Sequence, residues 1–409
     1  MFSIEGIIIA DGAHARRRVE IDQESGLIVR VSEPTGTADV ILKDELIFPG
    51  FIDLHVHARE DASHTQEYKE DFKTAGEAAI NGGVVAFAEM PNNPIPPANE
   101  DLYLAKHALT TKSAVPILLY AAIGPGTKPL SKNVPYKAFM GKSIGDMYFN
   151  SKEELESTLK DYVGCCVSFH CEDPKIMDAH TANLTHEERR PAEAEYTAID
   201  IAISLIEKYQ LHGKICHAST VEGIQKIANA KARGLDIAVE VTPHHLYFDE
   251  TMFDAPLRKK LQVNPPIRQT KENRVALIKA LKDGTIDYLA TDHAPHTTEE
   301  KEKGMSGMPH LDTYGAFTTW LMKEHGFTPE DIARVCASNP AKFFNQFVDE
   351  RYGHIQEGFI GSLSVLDINS PHTVSRSDLK TKCGWSPFEG IEFPGHRVMT
   401  IIQAKIYED

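Results

Sequence analysis

His55-Val56-His57 closes the apolar run Phe48-Pro49-Gly50-Phe51-Ile52-Asp53-Leu54 and sets two imidazoles two positions apart. Side chains alternate across a strand, so residues i and i+2 share a face and can hold one metal ion. Arg59, two further on, falls on that same face. Four more residues of similar chemistry lie in or at the ends of later apolar runs: Lys137 in Pro-Tyr-Lys-Ala-Phe-Met, His170 in Val-Ser-Phe-His-Cys, His217 in Ile-Cys-His-Ala-Ser, and Asp292 in Leu-Ala-Thr-Asp-His-Ala-Pro-His. Nitrogen and oxygen ligands of this kind suit zinc or a similar divalent ion. Taken singly, each has a plainer reading. His170 and His217 read as satisfied interior histidines, Asp292 as a turn cap, and Lys137 as a surface lysine on an edge strand. Four such coincidences at one end of one fold are harder to reconcile than a single shared site.

Lys137 is the diagnostic member. An ammonium cannot ligate a metal, and burying one unpaired is costly. A neutral amine can instead add carbon dioxide to give a carbamate, an anion with two oxygens able to bridge two metals. Lys142 is its only nearby rival.

These residues need strands to carry them. Short apolar runs at 51–57, 84–90, 117–123, 135–140, 163–171, 214–217, 237–241 and 288–291 give eight strand candidates, and helical periodicity fills most gaps, at 69–80, 152–162, 192–209, 220–232 and 271–283. Eight strands alternating with helices predict an α/β fold, a (β/α)8 TIM-like barrel with its chemistry at the C-terminal strand ends. The link from Ile123 to Pro135 is too short and too rich in Gly, Pro, Lys and Ser for an ordinary helix. Short β-type runs at 4–9, 18–21, 27–31 and 40–42, and again at 363–366 and 398–402, predict a small β-sandwich subdomain formed by residues 1–47 and 354–409. The barrel then occupies 48–353.

The 409 residues are 42% hydrophobic, ample for such a core. A net charge of −16 argues against general binding to nucleic acid or anionic membranes, though not against a local cationic pocket. The longest apolar stretch, Ala114 to Ile123, is about half of the ~20 residues a membrane span needs. The first residues run apolar before basic, the reverse of a secretory signal, so a cytoplasmic location is expected. Six cysteines without a CxxC pair read as reduced thiols.

At this point the chain resembles the amidohydrolase superfamily, and within it the dihydroorotases. The match runs through Pro49-Gly50-Phe51-Ile52-Asp53-Leu54-His55-Val56-His57-Ala58-Arg59, Met90-Pro91-Asn92, Lys137-Ala138-Phe139-Met140-Gly141, His170-Cys171-Glu172-Asp173, Cys216-His217-Ala218-Ser219, Asn264-Pro265-Pro266 and Thr291-Asp292-His293-Ala294-Pro295-His296. The resemblance implies two Zn2+ per chain. His55, His57, Asp292 and carboxylated Lys137 would bind one, and Lys137, His170 and His217 the other, with a hydroxide also bridging them. It implies that Asp292 is the catalytic base and then acid. It further implies that Arg59, Asn92 and His296 hold a substrate carboxylate, and that Asn264 contacts the ring amide. The implied reaction is reversible hydrolysis of dihydroorotate to N-carbamoyl aspartate in pyrimidine biosynthesis. The resemblance leaves room for a homodimer and for association with aspartate transcarbamoylase. His244 and His245, adjacent and so divergent on a strand, stay outside the ligand set, and 301–310 is expected to border the pocket as a mobile rim.

The nearest alternative is another cyclic amidohydrolase, a hydantoinase, dihydropyrimidinase or allantoinase. A pocket for an uncharged ring has no need of Arg59 and His296. A non-catalytic scaffold partnering aspartate transcarbamoylase would be expected to lose ligands, and none is missing. A structural metal module would close its sphere with cysteine.

Overall fold

The computed structural model describes residues 1–10, 12–142, 147–268 and 270–408. Eight parallel strands succeed one another in chain order: Phe51–Val56, Val84–Glu89, a third in two pieces (Ile117–Leu119 and Ala121–Ile123), Tyr136–Phe139, Cys166–His170, His212–Ile215, Ile237–Val241 and Tyr288–Leu289. The third strand divides at Tyr120. Its first piece pairs with the second strand and its second with the fourth, so the chain changes partners without breaking the ring. Closure comes from a parallel bridge between Val56 and His293, where the His57 N–H donates to the His293 carbonyl at 2.7 Å. The result is the barrel expected from the alternation.

Strands such as Val84-Val85-Ala86-Phe87-Ala88-Glu89 are buried at every position. Covered on both faces, they read as continuous apolar runs rather than alternating ones. The outer helices begin where side chains can satisfy their free N–H groups. Asp71 caps Phe72–Asn81 in a reciprocal box with Thr74, Ser151 caps Lys152–Leu159, Thr220 caps Val221–Ala232 and Thr270 caps Lys271–Asp283. Gly284, at φ 86°, ends the last of these in the left-handed conformation that glycine adopts without steric cost. Residues 124–135 carry no helix, as their composition predicts.

The two chain ends form one seven-stranded sheet in the order Lys405–Glu408, His396–Ile402, Leu363–Asp367, Val40–Pro49, Phe2–Ala10, Ala13–Ile21, Ile28–Ser32. Ile4, Ile8, Val19, Ile21, Leu363, Val365 and Ile401 belong to an apolar cluster separate from the barrel core. A second, two-stranded pair joins His372–Thr373 to Glu392–Phe393. Among the described residues no helix is long and apolar enough to cross a membrane.

Three local expectations need correction. The sixth strand ends at Ile215 and the eighth at Leu289, short of His217 and Asp292. Both residues have left-handed backbones, φ 35° and 48°, which turn the chain off the strand line. Arg59, at φ 64°, likewise lies in a loop, so strand alternation is not what aims it. His244 and His245 are on a short helix, Pro243–Tyr247, capped by Thr242, and not on a strand.

Candidate active site

Eight sequence-predicted residues line one cavity of about 250 Å3 at the C-terminal mouth of the barrel: His55, His57, Arg59, Asn92, His170, His217, Asn264 and Asp292. Phe139, Lys142 and the rim residues Gly304 to Gly307 line it too. Lys137 and His296 are fully buried just behind the wall.

His55 Nε2 lies 3.3 Å from Asp292 Oδ1, and His57 Nε2 lies 3.1 Å from the same oxygen. Zinc bound tetrahedrally at ~2.0–2.1 Å gives ligand-to-ligand edges of about 3.3 Å, so this triangle has the size of a metal face. His170 Nδ1 and His217 Nε2 approach to 2.9 Å, with their rings 4.7 Å apart and the His217 ring 5.2 Å from that of His55. The outer nitrogens decide which lone pairs face inward. His55 Nδ1 meets Glu240 Oε1, and His170 Nε2 lies 2.8 Å from Glu172 Oε2. Each carboxylate accepts an N–H there, leaving His55 Nε2 and His170 Nδ1 bare toward the cavity, the arrangement metal-ligating histidines use. The donor set of His55, His57 and Asp292 therefore fits a divalent ion.

Burial pushes His55, His57 and His217 well below the ordinary imidazole range, and the nearby Lys137 amine adds to the effect. They stay neutral, the form that ligates. Burial also pushes Asp292 up to about 7, against the pull of Lys137. Although burial opposes it, Arg190 and His170 hold Glu172 down at about 2. Lys137 Nζ is 2.7 Å from Cys216 Sγ and 5.2 Å from the centre of the Phe139 ring. Neither neighbour is a carboxylate, so this buried amine has no hydrogen-bonded anionic partner among the described residues.

On the opposite wall, Arg59 donates from Nε to the Pro295 carbonyl at 3.3 Å and from Nη2 to His296 Nε2 at 3.2 Å. His296 Nδ1 in turn faces Glu300 at 3.1 Å, and burial with the neighbouring Arg59 charge lowers this imidazole to about 2. It is thus a neutral acceptor behind the guanidinium. The amide oxygens of Asn92 and Asn264 are buried without a partner among the described residues. The rim borders the cavity as expected but is fastened: Lys301 Nζ donates to the carbonyls of Gln262, Met305 and Gly307 at 2.7 to 2.9 Å.

Over residues 46–407 the chain matches the model of the amidohydrolase family. It is 33% identical to a dihydroorotase of Pyrococcus furiosus, covering 98% of this chain and 91% of that protein. The chain belongs to the amidohydrolase family. A dihydroorotase of Staphylococcus aureus is 30% identical, with 91% of each chain covered. Among solved structures, an L-hydantoinase (dihydropyrimidinase) from Arthrobacter aurescens superposes with a TM-score of 0.90 at 23% identity, over all of this chain and 96% of that one. A D-hydantoinase superposes at 0.87 with 22% identity, over 99% and 94%. That likeness bears on the barrel and its attached sheet. As a family member the chain is a metal-dependent hydrolase of cyclic amides.

Sequence reasoning did not find Glu240, Glu172 or Cys216 as parts of the site. Glu172 sits two residues past His170 and was within reach of the spacing argument. Glu240, in Ile-Ala-Val-Glu-Val, has no local signal, because its partners lie 185 and 26 residues away.

Proposed function

We propose that this chain is a dihydroorotase, opening the cyclic amide of (S)-dihydroorotate to N-carbamoyl-L-aspartate and closing it again in de novo pyrimidine biosynthesis. The observation that carries the substrate is Arg59, a buried guanidinium on the cavity wall whose hydrogen bonds go to a carbonyl and a neutral imidazole rather than to a carboxylate. A ring bearing a carboxylate would complete it with a charge-assisted pair. An uncharged hydantoin or dihydrouracil ring would leave it with the charges of Glu89, Asp292 and Glu300 nearby but no hydrogen-bonded anion.

In this reading His55, His57, Asp292 and a carboxylated Lys137 would hold one zinc, and Lys137, His170 and His217 would hold a second. When bound, the two ions would polarise the amide carbonyl and make water available as a nucleophile near neutral pH. Asp292 accepts the proton released as water adds to the carbonyl. It returns that proton to the ring nitrogen as the C–N bond breaks, leaving one ureido NH2 and a carboxylic acid that becomes carboxylate by releasing its remaining proton to solvent. Arg59 and Asn92 hold the ring carboxylate, His296 aims Arg59, and Asn264 faces the ring amide. The fastened rim covers the ring and limits water. The proposal places the chain in the cytoplasm. It also divides the chain into the barrel (48–353) and the terminal subdomain (1–47 with 354–409); the separate apolar cluster of the terminal sheet supports this division, while Val374, Trp385, Phe388 and Phe393 of the last segment pack into the barrel core.

Arg59→Met tests the substrate. Loss of a charge-assisted contact of about 2–3 kcal/mol predicts a fall of roughly 30- to 150-fold in kcat/KM for dihydroorotate, with zinc content unchanged and any turnover of dihydrouracil undiminished. Equal loss on both rings, or none, would sink the assignment while leaving the family intact.

A further inference from the structure

Beneath the cavity floor a second pair of charges is buried inside the barrel. Glu240 on the seventh strand and Lys214 on the sixth are both almost fully enclosed. Lys214 Nζ donates to Glu240 Oε2 at 2.8 Å and to the Leu54 carbonyl at 3.2 Å. It also lies over the rings of Tyr120 and Phe343, 5.1 and 5.4 Å from their centres. The other carboxylate oxygen, Oε1, touches the His55 ring at Nδ1 and accepts the backbone N–H of His217 at 3.2 Å. One oxygen thus grips a member of each half of the candidate metal centre. His217 needs that grip, because its left-handed backbone, φ 35°, is not one a histidine adopts freely.

We propose that Glu240, steadied by Lys214, is the positioning residue that couples the two metal sites. It fixes His55 with the proton on Nδ1 and the lone pair of Nε2 toward the cavity, and it holds the turn that presents His217. Lys214 keeps the carboxylate from swinging up to bind an ion itself. This rests on reading His55 and His217 as ligands. A different role is open to the same atoms, since His55, Cys216 and Glu240 offer three donor atoms within 4.8 Å of one another. The neighbourhood disfavours a cation there: Lys214 occupies Glu240, Lys137 Nζ sits 2.7 Å from Cys216 Sγ, and His55 would have to surrender its Nδ1 proton.

A buried ion pair can often be replaced by neutral groups with little loss of stability, provided both partners go together. That separates a structural role from a positioning one. The variants are Glu240→Leu, which removes the acceptor, and the double Glu240→Leu with Lys214→Met, prepared metal-free. Zinc affinity is measured by competition with a chromophoric chelator, thermal midpoint without metal, and the His55 tautomer by 15N NMR of the ring. The double variant is expected to melt near wild type yet bind zinc about 10- to 100-fold more weakly at both sites, with His55 no longer held as the Nδ1–H tautomer. Wild-type zinc affinity and tautomer in the double variant would overturn the proposal. So would weakening at only one site. A wild-type chain that takes up no zinc would instead overturn the ligand reading on which the proposal stands. Failure of dihydroorotate as substrate, with zinc still bound, would leave it untouched.

Discussion

Lys137 and Glu240 show what a single residue can and cannot reveal before the fold is known. Lys137 was legible because a lysine in Tyr-Lys-Ala-Phe, on a strand destined for burial, has few tolerable states, and one of them is a carbamate. In the fold its amine is in contact with a thiol and a ring face, and among the described residues no carboxylate is hydrogen-bonded to it. Labelled bicarbonate should therefore give a carbamate carbon resonance in the zinc-loaded wild type. Lys137→Met should lose that signal and retain at most one zinc per chain by elemental analysis. Two zinc ions held by Lys137→Met would remove the lysine from the bridge. Glu240 was illegible for the opposite reason. A glutamate alternating with Val239 and Val241 reads as a solvent-facing strand position, and only closure of the barrel turns that face inward against His55 and Lys214.

At the level of elements, strand positions were readable from apolar runs and helix starts from their caps, but strand ends were not. His217 and Asp292 lie past their strands because left-handed turns carry them off the sheet, and although His and Asp enter that region more readily than most residues, nothing in the spacing marks where they do. Those turns face the active-site end, where strained backbone is retained because neighbouring groups hold it. The rim gives the matching test. Gly307 sits at φ 132°, and a Cβ there would lie 2.5 Å from the Ala294 carbonyl oxygen and 3.1 Å from His296 Cδ2. Gly307→Ala should strain the rim by about 1–3 kcal/mol and push against the imidazole that aims Arg59. The expected result is a raised KM for dihydroorotate with zinc content unchanged. An unaltered KM would mean that the rim does not shape the carboxylate pocket.

For the whole molecule, the alternation of strands and helices announced the barrel, and the short β runs at opposite termini announced that the two ends join, while the strand order within their one seven-stranded sheet could not be read from them. Burial on this scale also sets how stability responds to pH. Burial lowers His186 and His245 to about 4, and His244 and His310 well below 6.5. Each takes up a proton on unfolding between its folded value and about 6.5, so stability falls as pH drops through that window. Asp53 and Asp292, both pushed up to about 7 by burial, act in the opposite sense from about 4 to 7 but are fewer. Urea unfolding of the metal-free protein should therefore show a lower midpoint at pH 5.5 than at pH 7. An equal or higher midpoint would mean that the buried histidines are charged in the fold. The central claim itself is tested most directly by one measurement on the intact wild type: ring opening of dihydroorotate, dihydrouracil, hydantoin and allantoin, each with zinc and after chelation. The account predicts turnover confined to dihydroorotate, abolished by chelation and restored by zinc. Faster opening of an uncharged ring, or turnover indifferent to chelation, would contradict it.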